Sequence, residues 1–176
     1  MSWRLPHDTR SMHGYGILEL LIVVILIGVL SSIAYASYQK NNINARRVQM
    51  MVVLQNLAMN IHAQKLIQAN YADVALVSIF PTAQWTVSTG QTKSDKMAVF
   101  DYPQGAPVLY KVSLSPVTDG SLTAGKQLGS AQWQLIATPD PDGIMHQDGI
   151  LSLNFEGRKC HRDKCRYDDS WNQDTP

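Results

Sequence analysis

Proline is missing from the whole stretch between Tyr15 and Phe80, and no charged residue stands between Leu20 and Gln39. The first absence removes the strongest helix breaker, so a single helix can run unbroken through that region. The second makes 20–39 about as long as an apolar helix must be to cross a bilayer. Cysteine is scarce as well. Cys160 and Cys165 are the only two, and although His146 and His161 stand near them, the second ligand pair of a structural zinc site is lacking. Net charge is small, +1 over the chain, and such a balance demands no nucleic-acid partner. Internal repeats and low-complexity tracts are absent. So is any catalytic constellation: Ser31 and Ser32 have no positioned base, and His62 falls among the polar positions of an amphipathic stretch. The chain therefore reads as a non-enzyme, with no catalytic residue, no metal ligand and no cofactor.

What is present is a greasy segment with one acid at its edge. Residues 20–30 are almost purely aliphatic (LLIVVILIGVL), and 31–38 stay neutral and mostly small or aromatic. Glu19 precedes them. A carboxylate held deep in a bilayer costs on the order of 2 to 3 kcal/mol, so it calls for a partner. An amino terminus created at Tyr15, four residues away, would be a suitable one. Other readings of the segment compete. A conventional signal peptide would use Arg4 and Arg10 as its basic region and Ala34-Tyr35-Ala36 as its cleavage site, which leaves Glu19 without a role. A plain single-pass anchor requires only the apolar length, and a buried helix of a soluble protein would show a polar face that this run lacks. Charge alone leaves the orientation open, because Arg4 and Arg10 stand against Asp8 on one side and Lys40, Arg46 and Arg47 follow on the other.

The residues GYGILELLIVVILIGVL resemble the class III leader junction of type IV prepilins and of the pseudopilins of type II secretion. In both, a short leader ends in glycine, a hydrophobic first residue follows, a glutamate comes four residues later, and an apolar helix begins. The resemblance covers roughly residues 12–39. It implies cleavage between Gly14 and Tyr15 by a membrane prepilin peptidase, N-methylation of Tyr15, and a register-setting contact between Glu19 and the Tyr15 amine of a neighbouring subunit. Two positions depart from the family's pattern. Tyr15 replaces the usual phenylalanine, and Ala36 stands where many major pilins have a proline, which leaves open whether the helix bends there. The implied partners are other pilin subunits, the peptidase, the inner-membrane assembly platform and the membrane itself. The implied location is the inner membrane, single pass with a periplasmic head, and then the extracellular filament. The implied function is that of a structural pilus subunit, a minor pilin of assembly, motility, adhesion or DNA uptake. A secretion pseudopilin is the alternative, and a DNA-binding or adhesive pilin is another.

The implied fold is α+β, the type IV pilin fold: a long N-terminal helix packed on an antiparallel meander of three to four strands. The division is a leader over 1–14, a membrane and assembly half over 15–39, and a head over 40–176. Within the head, 40–70 reads as an amphipathic helix, because Met50, Leu54, Leu57 and Ile61 recur at helical spacing with Met51 and Ala58 beside them. Its end is placed at Ala69-Asn70, since asparagine tolerates the left-handed conformation that closes helices. About 55 helical residues at roughly 1.5 Å each would span about 80 Å. Residues 71–104 read as a loop with room for a short helix and for short strands near Trp85–Val87 and Met97–Phe100. Over 105–157 the period falls to two: Val108, Tyr110, Val112 and Leu114, then Trp133, Leu135 and Ala137, then Leu151, Leu153 and Phe155 mark three strands. Their apolar face needs a cover, and the helical stripe supplies it. The Asp140-Pro141-Asp142-Gly143 and Gln147-Asp148-Gly149 turns lack the ligand spacing of a calcium loop.

Residues 158–176 read as a closing loop, with weaker likeness to the last strands of PilE-like minor pilins. On a periplasmic placement Cys160 and Cys165 pair as a disulfide. Around them Arg158, Lys159, Arg162, Lys164 and Arg166 oppose Asp163, with Tyr167 and Trp171 nearby. Such cations and rings are able to hold DNA phosphates and bases. A solvated loop whose charges meet Asp168, Asp169 or another subunit is the plainer reading, because a nucleic-acid footprint is broader.

Overall fold

The computed structural model describes residues 16–89, 96–105, 107–118, 127–167 and 171. The chain divides into two units, through Asn41 and from Asn42 onward, two residues beyond the division expected at 39/40. The helix α1 (Ile17–Gln68) supplies the described part of the first unit and the opening of the second. In the first unit every described residue is exposed, including aliphatic side chains from Ile17 at 85% to Val23 at 45%. Residues 31–40 are helical, Ala36 included; the alanine keeps the backbone N–H that a proline would remove. Ser32 keeps its hydroxyl satisfied by donating to the Val29 carbonyl at 2.7 Å, so it adds no unpaired polar group to the apolar run.

The second unit is α+β. Its sheet has seven antiparallel strands in the order β1 (Thr86–Thr89), β2 (Lys96–Tyr102), β3 (Tyr110–Ser115), β6 (Gln134–Pro139), β7 (Leu151–Asn154), β8 (Lys159–His161) and β9 (Lys164–Arg166). A two-stranded ribbon, β4 (Val117–Thr118) with β5 (Gln127–Leu128), lies in the β3–β6 connection, and α2 (Leu76–Ile79) follows α1. The three-to-four-strand expectation is thus too small. The span 71–104, read as a loop with room for a short helix and for short strands near 85–87 and 97–100, contains α2, β1 and β2, while the expected loop at 158–176 contains β8 and β9.

The core follows the two periods. Met50, Met51, Leu54, Leu57 and Ile61 of α1 are buried, together with Ala98 and Phe100 of β2, Tyr110, Val112 and Leu114 of β3, Leu135 and Ala137 of β6, and Leu151 and Leu153 of β7. Leu114 faces Leu135 and Leu135 faces Leu153 in register, so one apolar row crosses β3, β6 and β7. Each such side chain contributes about 1.5 to 3 kcal/mol of burial. Trp133, 1% exposed, closes the core beside β6, with the His62 ring edge-on at 5.5 Å. The helix ends one residue earlier than expected. Ala69, not Asn70, takes the left-handed backbone (φ 61°), while the Asn70 side chain accepts the Ala72 N–H at 3.1 Å.

Candidate functional site

Glu19 stands in the first turn of α1, where the Gly16 carbonyl accepts the N–H groups of Glu19 (3.0 Å) and Leu20 (3.3 Å). A carboxylate there faces the positive end of the helix dipole, a contact worth about 0.3 to 1 kcal/mol when exposed. Gly14 and Tyr15, the cleavage and methylation residues expected from the sequence, lie outside the described residues.

A second cluster was not foreseen. Asp148, in the β6–β7 connection, is 2% exposed. One carboxylate oxygen accepts the Arg47 guanidinium (Nε at 2.6 Å, Nη2 at 2.5 Å), and the other accepts the Tyr110 hydroxyl at 2.5 Å. Its main-chain carbonyl accepts His161 Nε2 at 2.7 Å and Arg162 Nε at 3.1 Å. Four segments therefore meet at one residue: α1, β3, the β6–β7 connection and the β8–β9 hairpin. Because His161 donates through Nε2, that nitrogen carries the proton. Burial, reinforced by the hydrogen bond and charge of Asp148, pushes the Tyr110 hydroxyl well above its ordinary range, while Arg47 opposes the shift. Tyr110 consequently stays a neutral donor.

Sequence signals for this cluster existed. Arg47 precedes Met50 and Met51 by three and four residues, which places it on the buried stripe. Tyr110 shares the inward face with Val112 and Leu114, and a buried tyrosine hydroxyl calls for a partner. With both Asp148 oxygens engaged by protein donors, no calcium role is built on it, and among the described residues no three His, Cys, Asp or Glu side chains gather as a metal group.

The cysteines form the Cys160–Cys165 disulfide, joining directly opposed positions of β8 and β9 with Cα atoms 4.0 Å apart. The five neighbouring cations do not form one open face. Lys159 is 9% exposed, and Arg162 gives its guanidinium to the carbonyls of Asp148 (3.1 Å) and Gln147 (2.7 Å). Arg158 lies 5.9 Å from the Tyr167 ring centroid. Lys164 and Arg166 are exposed on β9, paired across the hairpin with His161 and Lys159, and both carry contacts of their own.

His62 shares a hydrogen bond of 2.9 Å with the Tyr71 hydroxyl. Burial, with a smaller push from Lys65, holds its imidazole below the ordinary 6.5. A groove of about 560 Å³ beside β1, β2 and β3 is lined by Gln84, Thr86, Gln104 and the exposed Asp101–Lys111 pair (3.8 Å). Those lining groups include no nucleophile with an adjacent base. Comparison with known protein families, curated proteins and solved structures gives no match to this chain.

Proposed function

We propose that this chain is a structural subunit of a type IV pilus, a minor pilin made as a precursor, cut after Gly14 and held by α1 in the inner membrane until it joins the filament. The observation that carries the reading is Glu19, an acid at the head of an exposed, uncharged aliphatic helix, directly after the GYGILE junction. An α+β unit whose helix lays an apolar stripe on an antiparallel sheet supports it, as does the disulfide expected of an exported head. In this reading the aliphatic run is shielded first by lipid and then by the same runs of neighbouring subunits.

Magnitudes separate anchoring from assembly. Twelve aliphatic side chains between Ile17 and Leu30 are exposed. Taking them from water is worth on the order of 20 kcal/mol, against about 2 to 3 kcal/mol for inserting Glu19. Anchoring is therefore indifferent to this residue, while docking among other apolar helices requires its charge to be met by an amine. Glu19→Ala is expected to remain in the membrane fraction at wild-type level yet vanish from sheared filaments. Undiminished incorporation of the variant would overturn the proposal. Loss of exoprotein release rather than of pili on deleting the gene assigns the chain to a secretion pseudopilus instead. The engagement of Lys159 and Arg162 inside the protein disfavours DNA capture by the basic loop.

A further inference from the structure

The disulfide hairpin is tied to α1 through one residue. Between Cys160 and Cys165 the β8–β9 turn is Arg162-Asp163, and Arg162 occupies the left-handed region at φ 54°. For a residue with a β-carbon that conformation is unfavourable, so an isolated hairpin would tend to relax. Three contacts hold it: the Arg162 N–H donates to Ile150 (2.9 Å), and its guanidinium donates to Gln147 and Asp148. Gly149 provides the slot for the side chain. A β-carbon on Gly149 would lie 2.4 Å from Arg162 Cγ. On its other side, Asp148 grips Arg47 of α1 and Tyr110 of β3.

We propose that the Cys160–Cys165 disulfide is a clamp whose redox state sets how firmly the sheet holds the second-unit part of α1, acting through Arg162 and Asp148. Closed, the disulfide keeps the turn strained and Arg162 seated over Gly149, which fixes the Asp148 main chain and aims its carboxylate at Arg47. Opened, the turn relaxes, Arg162 leaves the two carbonyls, and the grip on Arg47 loosens. Cys165 is exposed, and Cys160 borders a groove of about 280 Å³ lined also by Gln132, Ser152, Asn154 and Arg158, so a reductant has access. The reductant is a dithiol. Its thiolate attacks one sulfur, forming a mixed disulfide and freeing the other cysteine; its second thiol displaces the remaining cysteine. Two electrons and two protons thereby pass to Cys160 and Cys165, and the reagent leaves as its own disulfide. The clamp rests on the second unit alone and stands or falls independently of the pilin proposal.

Hydrogen–deuterium exchange of the purified full chain in detergent micelles, oxidised and after dithiothreitol, tests the clamp. Reduction is expected to speed exchange at least tenfold in 145–150 and in 44–54 of α1, with β3 and β6 unchanged. Arg162→Ala and Gly149→Ala, each with the disulfide intact, are expected to give the same pattern, and reducing Arg162→Ala to add nothing further at 44–54. Faster exchange confined to 158–167, uniform loosening of the whole sheet, no change, or a further tenfold rise on reducing Arg162→Ala would each overturn the clamp. The wild-type arm requires no variant, so poor folding of either one leaves the test intact.

Discussion

Asp148→Asn removes one charge and almost no volume, which makes it the sharpest probe of the buried cluster. The Asp148 side chain is 0% exposed and that of Arg47 12% exposed, so the substitution strands a guanidinium with limited access to water. Removing one partner of a buried ion pair costs about 3 to 5 kcal/mol, and the residual access of Arg47 places this case at the lower end, about 3 kcal/mol. Tyr110 keeps an acceptor in the amide oxygen and adds little to the loss. With a urea slope of about 2 kcal/mol per molar, the midpoint should fall by about 1.5 M. Unfolding of the full chain in micelles, followed by the near-ultraviolet signal of the tryptophans, reads this shift. Arg47→Met strands the Asp148 carboxylate in turn and should cost about as much; in the double-mutant cycle the coupling should reach about 3 kcal/mol, so that the double variant loses no more than either single one, because no buried charge is then left unpaired. An Asp148→Asn cost below about 1 kcal/mol, or a coupling below about 0.5 kcal/mol, would refute the reasoning.

Other outcomes follow from single residues. Ala69→Gly relieves the left-handed backbone at φ 61° and should stabilise the second unit by about 0.5 to 1 kcal/mol, visible as a higher urea midpoint. His62 is held below 6.5, so the unfolded chain takes up its proton first. Stability from His62 is therefore complete above pH 6.5 and is lost as pH falls through the lower folded value; His62→Gln should lessen the drop in midpoint between pH 7.5 and 5, and an unchanged drop would contradict the assignment.

Legibility in the sequence tracked how local each cause was. The stripe Met50, Leu54, Leu57, Ile61 and the alternation in β3, β6 and β7 are read within a few residues, because burial on one face imposes its period directly. β2 was legible as a short strand near 97–100 but not to its full 96–102, because Met97 and Val99, which alternate with the buried Ala98 and Phe100, are themselves apolar, which blurs the period of two. β8 and β9 were obscured because they are short and charged, with the disulfide joining them across the ladder. Asp148 was hidden for a different reason. Its partner Arg47 lies 101 residues away, and a Gln-Asp-Gly turn gives no local sign that its aspartate is buried. In the basic loop five cations stand close in sequence, but spacing alone does not tell that the hairpin turns Arg162 onto carbonyl partners and buries Lys159.

Mass spectrometry of the N-terminal peptide of the chain isolated from membranes addresses the proposed processing head-on. The predicted peptide begins at a methylated Tyr15. A peptide beginning at Ser37, or at an uncut Met1, would contradict the pilin proposal and leave an ordinary exported or membrane-tethered protein.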